Sequence, residues 1–315
     1  MTGLPADLPG LARGGKAALA RVLSALESAP DHPELATLMD AASAAPRGMV
    51  IGITGPPGVG KSTLLGAFIA RLRARGETVA VIAVDPSSRR SGGALLGDRI
   101  RIASDPQDAG LFVRSMAARR RLGGLSDIAF PAALLMRALY DRVFVETVGV
   151  GQSETEIADC ADLVVFCAQP GSGDSLQYMK AGIIEEPDVM LVTKGDIGAM
   201  ASRTAGDLRA ALTLAAGAGA APPVEVVSAQ SGAGIDAALD RIGEVFAARA
   251  ASGGLAGLRG RQARVWAERR IAESLGQAAA DTLGPRLSGR EGSFAEISRL
   301  CERARALVHE SLKNI

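Results

Sequence analysis

Residues 55–62 read Gly-Pro-Pro-Gly-Val-Gly-Lys-Ser, between the apolar run Met49–Thr54 and the helix-like stretch STLLGAFIARLRARG that begins at Ser62. This is the GxxxxGK[ST] pattern in the order strand, loop, helix, which is the context a phosphate-binding loop needs. Gly55, Gly58 and Gly60 let the backbone take dihedrals other residues avoid, so that successive N–H groups turn inward on an anion, with Pro56, Pro57 and Val59 between them. Lys61 is placed to reach the β and γ oxygens of a nucleoside triphosphate. Ser62 offers a hydroxyl to Mg²⁺ at the positive end of the following helix, with Thr63 next to it.

Outward from this loop, short β-branched runs alternate with helical stretches. Strands are expected at 49–54, 78–84, 142–147, 162–168, 188–193 and 224–228, and helices at 60–75, 126–139, 174–186, 202–216 and 233–249. The alternation predicts an α/β fold with a mainly parallel sheet covered by helices on both faces. Ligands of such sheets bind beyond the carboxyl ends of the strands, where the loop, Asp85, Glu146 and Thr193 all fall. Two helices are expected ahead of the sheet, at 11–29 and 33–44, the first with Leu19, Val22, Leu23 and Leu26 on one side. After Ala250, SGGLAGLRG reads as a flexible joint before two more helices. These carry the stripes Trp266, Ile271, Leu275 and Ile297, Leu300, Ala304, Leu307, for packing within the chain or against another. The division is therefore an N-terminal helical extension (1–47), a nucleotide-binding domain (48–250) and a C-terminal helical extension (251–315).

Composition narrows the partners. Thirty-five basic residues stand against 34 acidic ones, a net charge of +1, which argues against a chain that coats nucleic acid or an anionic membrane. The sequence has neither an apolar run of spanning length nor a leader-like N-terminus, and the expectation is a soluble cytoplasmic protein. Cys160, Cys167 and Cys301 lack metal-ligand spacing and read as reduced core thiols.

Two further segments carry chemistry. In VETVGVGQSE, Glu146 is followed three residues later by Gly149, the arrangement a triphosphatase uses to sense the γ-phosphate: the glycine N–H bonds the phosphate and the carboxylate holds the metal directly or through water. Asp85 opens the polar loop DPSSRRSGGALLGDR, which carries Asp98 and resembles a switch closing over Mg²⁺. The plainer reading of Asp85 is a strand-end cap, to which the metal role is preferred, and that of Asp98 is a solvated surface charge. Gln152 and Glu154 are candidates for positioning water, but read more simply as exposed residues, as does the basic run Arg119–Arg121. Base identity falls to Thr193-Lys194-Gly195-Asp196. An aspartate there accepts from guanine N1–H and N2–H, the lysine stem lies over the ring, and Ser228 or Ala229 offers an N–H to O6. Thr193 stands where asparagine is usual, so one bond to the phosphate loop is lost or remade by its hydroxyl.

Together, AVDPSSRRSGGALLGDRIRI, VETVGVGQSE, PGSGDSLQYMKAGI and the lysine-aspartate base motif resemble the cobalamin-mutase-associated group of the G3E GTPases, bacterial chaperones of methylmalonyl-CoA mutase once described as arginine-transport kinases. The resemblance implies a SIMIBI-class P-loop NTPase fold, a homodimer joined through C-terminal arms, and GTP/GDP with Mg²⁺ as ligands. It implies GTP-driven gating of adenosylcobalamin delivery from an adenosyltransferase to the mutase, with protection or reactivation of that enzyme. By the same resemblance Lys61, Ser62, Asp85, Asp98 and Glu146 surround phosphate and metal, and Gln177 with Lys180 sense the partner. A nickel-insertion GTPase is the nearest rival, yet His32 and His309 stand alone. A P-loop small-molecule kinase is another, to be separated by phosphate release without an acceptor.

Overall fold

The computed structural model describes residues 3–85, 107–117, 125, 128–147, 156–171, 187–217, 219–283 and 294–313. Seven parallel strands form one sheet in the order β3-β2-β4-β1-β5-β6-β7. They are β1 (Met49–Thr54), β2 (Val79–Asp85), β3 (Leu111–Ala117), β4 (Arg142–Glu146), β5 (Leu163–Ala168), β6 (Val189–Val192) and β7 (Val224–Val226). The six expected strands are present; β3 was not anticipated. Its ends Leu111, Phe112 and Met116 are buried while Val113, Arg114 and Ser115 are only half-buried, so an edge position with a polar middle blurred the apolar pattern.

Successive residues of β1 serve opposite layers. Val50 joins the core under α1 (Leu8–Ser28), α2 (Pro33–Ala44) and α4 (Ala129–Leu139), whereas Met49, Ile51 and Ile53 join the core under α3 (Lys61–Ala74) and α6 (Ile235–Ala251). A further cluster packs α5 (Ala199–Ala216) on β5, β6 and β7. The expected stripe Leu19, Val22, Leu23 and Leu26 is buried, and α1 bends at Gly15, where φ is 57°. The helix expected at 174–186 lies outside the described residues.

The stretch read as a flexible joint is helical. A turn at Ser252 and Gly253 ends α6, and α7 (Gly254–Leu275) follows at once, then α8 (Gln277–Leu283) and α9 (Phe294–Lys313). Gly254, Gly257 and Gly260 weaken such a helix by about 0.5–1 kcal/mol each. Tertiary anchors offset this: Leu255 is buried, and Arg259 forms a two-pronged ion pair with the buried Asp162 at 2.7 and 2.8 Å. Ile271, Ile297 and Cys301 form a core of their own with Trp266, Leu275 and Leu300 packed against it, so the first stripe and the Ile297 and Leu300 positions of the second pack within the chain. All three cysteines are free and buried, and burial pushes the Cys167 thiol up to about 12. No helix among the described residues is long and apolar enough to cross a membrane.

Candidate functional site

The site is assembled where the central strand β1 ends. In the sheet Ile53 pairs with Glu146 of β4 and Thr54 with Phe166 of β5, so the loop leaving β1 emerges between the carboxyl ends of two neighbours. The Thr147 N–H donates to Ile53 O at 3.1 Å and the hydroxyls of Thr147 and Thr54 are 3.1 Å apart, which fixes Glu146 beside the loop. Glycine is required at position 55: φ is 135°, and a Cβ there would be driven into the Cys167 carbonyl. Gly58 and Gly60 also have positive φ, and Gly60 precedes the first residue of α3, Lys61.

Lys61 is 6 % exposed, and its ammonium donates to Gly55 O at 2.6 Å and Pro56 O at 3.1 Å. The loop thus curls around the charge that a phosphate group would engage. Next to it the Ser62 hydroxyl donates to Glu146 Oε1 at 2.7 Å. A hydroxyl and a buried carboxylate at a helix N-terminus are hard oxygen donors, and they fit Mg²⁺ rather than a soft metal. Asp85 is the last residue of β2, paired with Ala117 and ending on the same edge of the sheet as Glu146. Asp98, Gly149, Gln152, Glu154, Gln177, Lys180 and Arg119–Arg121 lie outside the described residues.

The second half of the site comes from β6. Thr193 is buried, and its hydroxyl lies 2.7 Å from Val59 O and 3.1 Å from Ala168 O. The bond to the phosphate loop is therefore remade by the hydroxyl. Lys194, with φ at 54°, sends its ammonium to Gly58 O and to Gln169 Oε1, both at 3.0 Å. Two successive residues thus grip two successive carbonyls of the phosphate loop. Gln169 was not anticipated; its place immediately after β5, at the edge where ligands gather, is the one signal that pointed to it.

Asp196 is exposed, and its Oδ1 accepts from the Ser228 hydroxyl at 2.6 Å. That hydrogen bond holds the Asp196 carboxyl below its ordinary range, helped by its own backbone N–H, so it stays an ionised acceptor at neutral pH. Gly195 N–H donates to Val227 O and Val227 N–H to Val192 O, both at 2.9 Å, locking the two loops together. Ser228 N–H is engaged by Ala233 O, which leaves the neighbouring Ala229 amide as the better placed of the two anticipated donors. Between the halves lies a cleft of about 280 Å³. Val59, Gly60, Thr63 and Leu64 line one side; Thr193, Lys194, Asp196 and Ile197 with Val227, Ala229 and Gln230 line the other.

Removing the Thr193 hydroxyl tests the link between the halves. Thr193→Val leaves the buried Val59 carbonyl without this donor and is expected to lower the unfolding free energy by about 1–2 kcal/mol, whereas Thr193→Ser retains it. Urea unfolding of the two variants measures the difference, and equal midpoints would show that the bond contributes nothing.

The family described as methylmalonyl-CoA mutase-associated GTPase MeaB matches residues 19–282. A putative GTPase of Caulobacter vibrioides is 42 % identical over 236 residues, 72 % of each chain. A putative GTPase of Pyrococcus horikoshii is 53 % identical over 148 residues, about half the length of either protein at 47 %. In three dimensions, the crystal structure of a LAO/AO transport system kinase aligns with a TM-score of 0.64 and 29 % identity over 94 % of this chain and 96 % of that one.

Proposed function

Because the chain belongs to the family of methylmalonyl-CoA mutase-associated GTPases, we propose that it binds GTP across this cleft, hydrolyses it to GDP and phosphate, and uses the difference between the two states to gate a cobalamin-dependent acyl-CoA mutase. The observation that carries the reading is the junction of a phosphate grip and an ionised base reader across one cleft of nucleoside size, tied together through Thr193 and Lys194.

In this reading the amides of residues 55–63 and the Lys61 ammonium hold the phosphates, with Lys61 exchanging the carbonyls of Gly55 and Pro56 for β and γ oxygens. Ser62 and Glu146 would hold Mg²⁺, with Asp85 and Asp98 as further carboxylates for it. When bound, that ion neutralises charge developing on the transferred phosphoryl group. Gly149 senses the γ-phosphate. Asp196 accepts from guanine N1–H and N2–H, Lys194 covers the ring, and the Ala229 N–H faces O6 while the Ser228 hydroxyl orients Asp196.

Loss of the γ-phosphate removes a few contacts, and about 1.4 kcal/mol of differential contact is a tenfold change in affinity for a partner. That is enough to time delivery of adenosylcobalamin from an adenosyltransferase, or rescue of the mutase, with Gln177 and Lys180 in the partner-sensing role. The division into 1–47, 48–250 and 251–315, with two copies joined through the last part in the cytoplasm, belongs to the same proposal. A nickel-insertion role has less support: His32 caps α2 by accepting the Glu34 N–H at 3.3 Å, and among the described residues no three His, Cys, Asp or Glu side chains are grouped to hold a metal.

The test is phosphate release from GTP and Mg²⁺, first alone and then with a cobalamin-dependent acyl-CoA mutase of the source organism. Slow release without any acceptor, accelerated by roughly tenfold or more with the mutase, is expected. A requirement for a small-molecule acceptor would return the kinase reading, and indifference to every such mutase would remove the chaperone assignment.

A further inference from the structure

The segment Glu156–Asp162 follows the γ-phosphate-sensing stretch 146–154 in the chain and is built into both the strand that bears the phosphate loop and the C-terminal extension. On the strand side it is keyed into β1. Ile157 is fully buried, and it can sit there because residue 52 is glycine: a Cβ at Gly52 would lie 2.7 Å from Ile157 Cδ1 and 3.1 Å from the Ala161 Cβ. Gly52 is three residues before Gly55, so the wedge touches the strand just below the phosphate loop.

On the other side the segment is held by α7, turn after turn. Arg259 pairs with Asp162. Gln262, 4 % exposed, donates both amide protons, to Ala158 O and to Ala161 O, each at 2.7 Å. Arg269 pairs with Asp159 at 2.6 Å. A half-buried ion pair is easily remade, but a buried amide that satisfies two backbone carbonyls is tied to one placement of the turn.

We propose that Gln262 is a positioning residue for the nucleotide cycle: through it, occupancy of the γ-phosphate site sets how α7, and the extension it begins, is seated on the nucleotide-binding domain. This deepens the GTPase reading and rests on it. The turn at 156–162 is the shared element, biased through Ile157 by β1, the strand that carries the phosphate loop, and by α7 through Gln262. Coupling of this kind is reciprocal, so loosening α7 must also alter the discrimination between GTP and GDP.

Trp266 makes this measurable. It is the chain's one tryptophan, lies one turn beyond Gln262, and packs on Phe294 at 4.5 Å and Phe130 at 6.1 Å between ring centroids. Its emission should differ between the full-length protein saturated with GDP and Mg²⁺ and the protein saturated with a non-hydrolysable GTP analogue and Mg²⁺. In Gln262→Leu the difference should vanish, and the ratio of the two nucleotide affinities should shift by about fivefold or more. A merely structural role would lower stability and leave that ratio unchanged. Should Gln262→Leu fail to fold, Arg269→Ala on the half-buried flank serves, with the emission difference reduced by roughly half. Identical emission in the two states, with both ligands seen to bind by calorimetry, would overturn the inference and leave the site reading standing, as would a full difference retained in the variants. Absence of binding by calorimetry would overturn the site reading and this inference with it.

Discussion

Lys61→Ala is expected to leave the fold in place and to reduce GTP turnover by on the order of 10²–10³-fold, the usual consequence of removing one preorganised donor aimed at developing negative charge. The fold should survive because α3 is anchored elsewhere: Leu64, Leu65, Phe68 and Leu72 are buried, and alanine is well tolerated at a helix's first turn. What disappears is the cation that the loop curls around, now bonded to the carbonyls of Gly55 and Pro56. Circular dichroism with single-turnover phosphate release separates the two effects. Undiminished turnover in a well-folded variant would place the chemistry at another site.

The second large effect concerns the base. Asp196→Asn should weaken GTP by about 10²-fold, since one charge-assisted contact is worth about 1.5–3 kcal/mol, and should admit xanthosine triphosphate in its place. The loop should keep its shape: the Ser228 hydroxyl donates to Oδ1, and an asparagine retains an oxygen there. Only the donor and acceptor pattern offered to the ligand is inverted. The pH dependence follows from the same bond. Because Ser228 and the residue's own amide hold the Asp196 carboxyl below its ordinary value, guanine affinity should be flat through the neutral range and fall only as pH drops through that lowered pKa, where the carboxylate gains a proton. The asparagine variant should lack this acid limb. Titration calorimetry of both nucleotides against pH measures all of it, and an unchanged preference for GTP would remove Asp196 as the base reader.

How much of this was legible in the chain depends on how local each feature is. The loop Gly55–Ser62 is made by contiguous residues, so its shape, with positive φ at Gly55, Gly58 and Gly60, was legible in the chain, and so was the short loop Thr193–Asp196 after one strand. The partnership of Ser62 with Glu146 was suggested only by the shared expectation of a metal; their 2.7 Å contact joins positions 84 residues apart. Gln169 offered only its place after β5 and Gln262 no signal at all, since a glutamine matters for what folding brings to it, and the carbonyls that Gln262 holds are 101 and 104 residues distant. The edge strand β3 escaped because its middle residues are only half-buried. The start of α7 was misread because its glycines speak for a loop, while the argument for a helix lies in Leu255 and in Asp162, nearly a hundred positions earlier.

That last point has a temporal side. A stretch with three glycines in seven residues has little tendency to coil by itself, so its first two turns are moulded on a surface that must already exist. The carboxylate that receives Arg259 is in place only once β1 and β5 are paired, for the same group also binds the Val50 amide. As the nascent chain leaves the ribosome, the sheet is therefore the template and the start of α7 its casting: those two turns need the paired strands β1 and β5 before they can close.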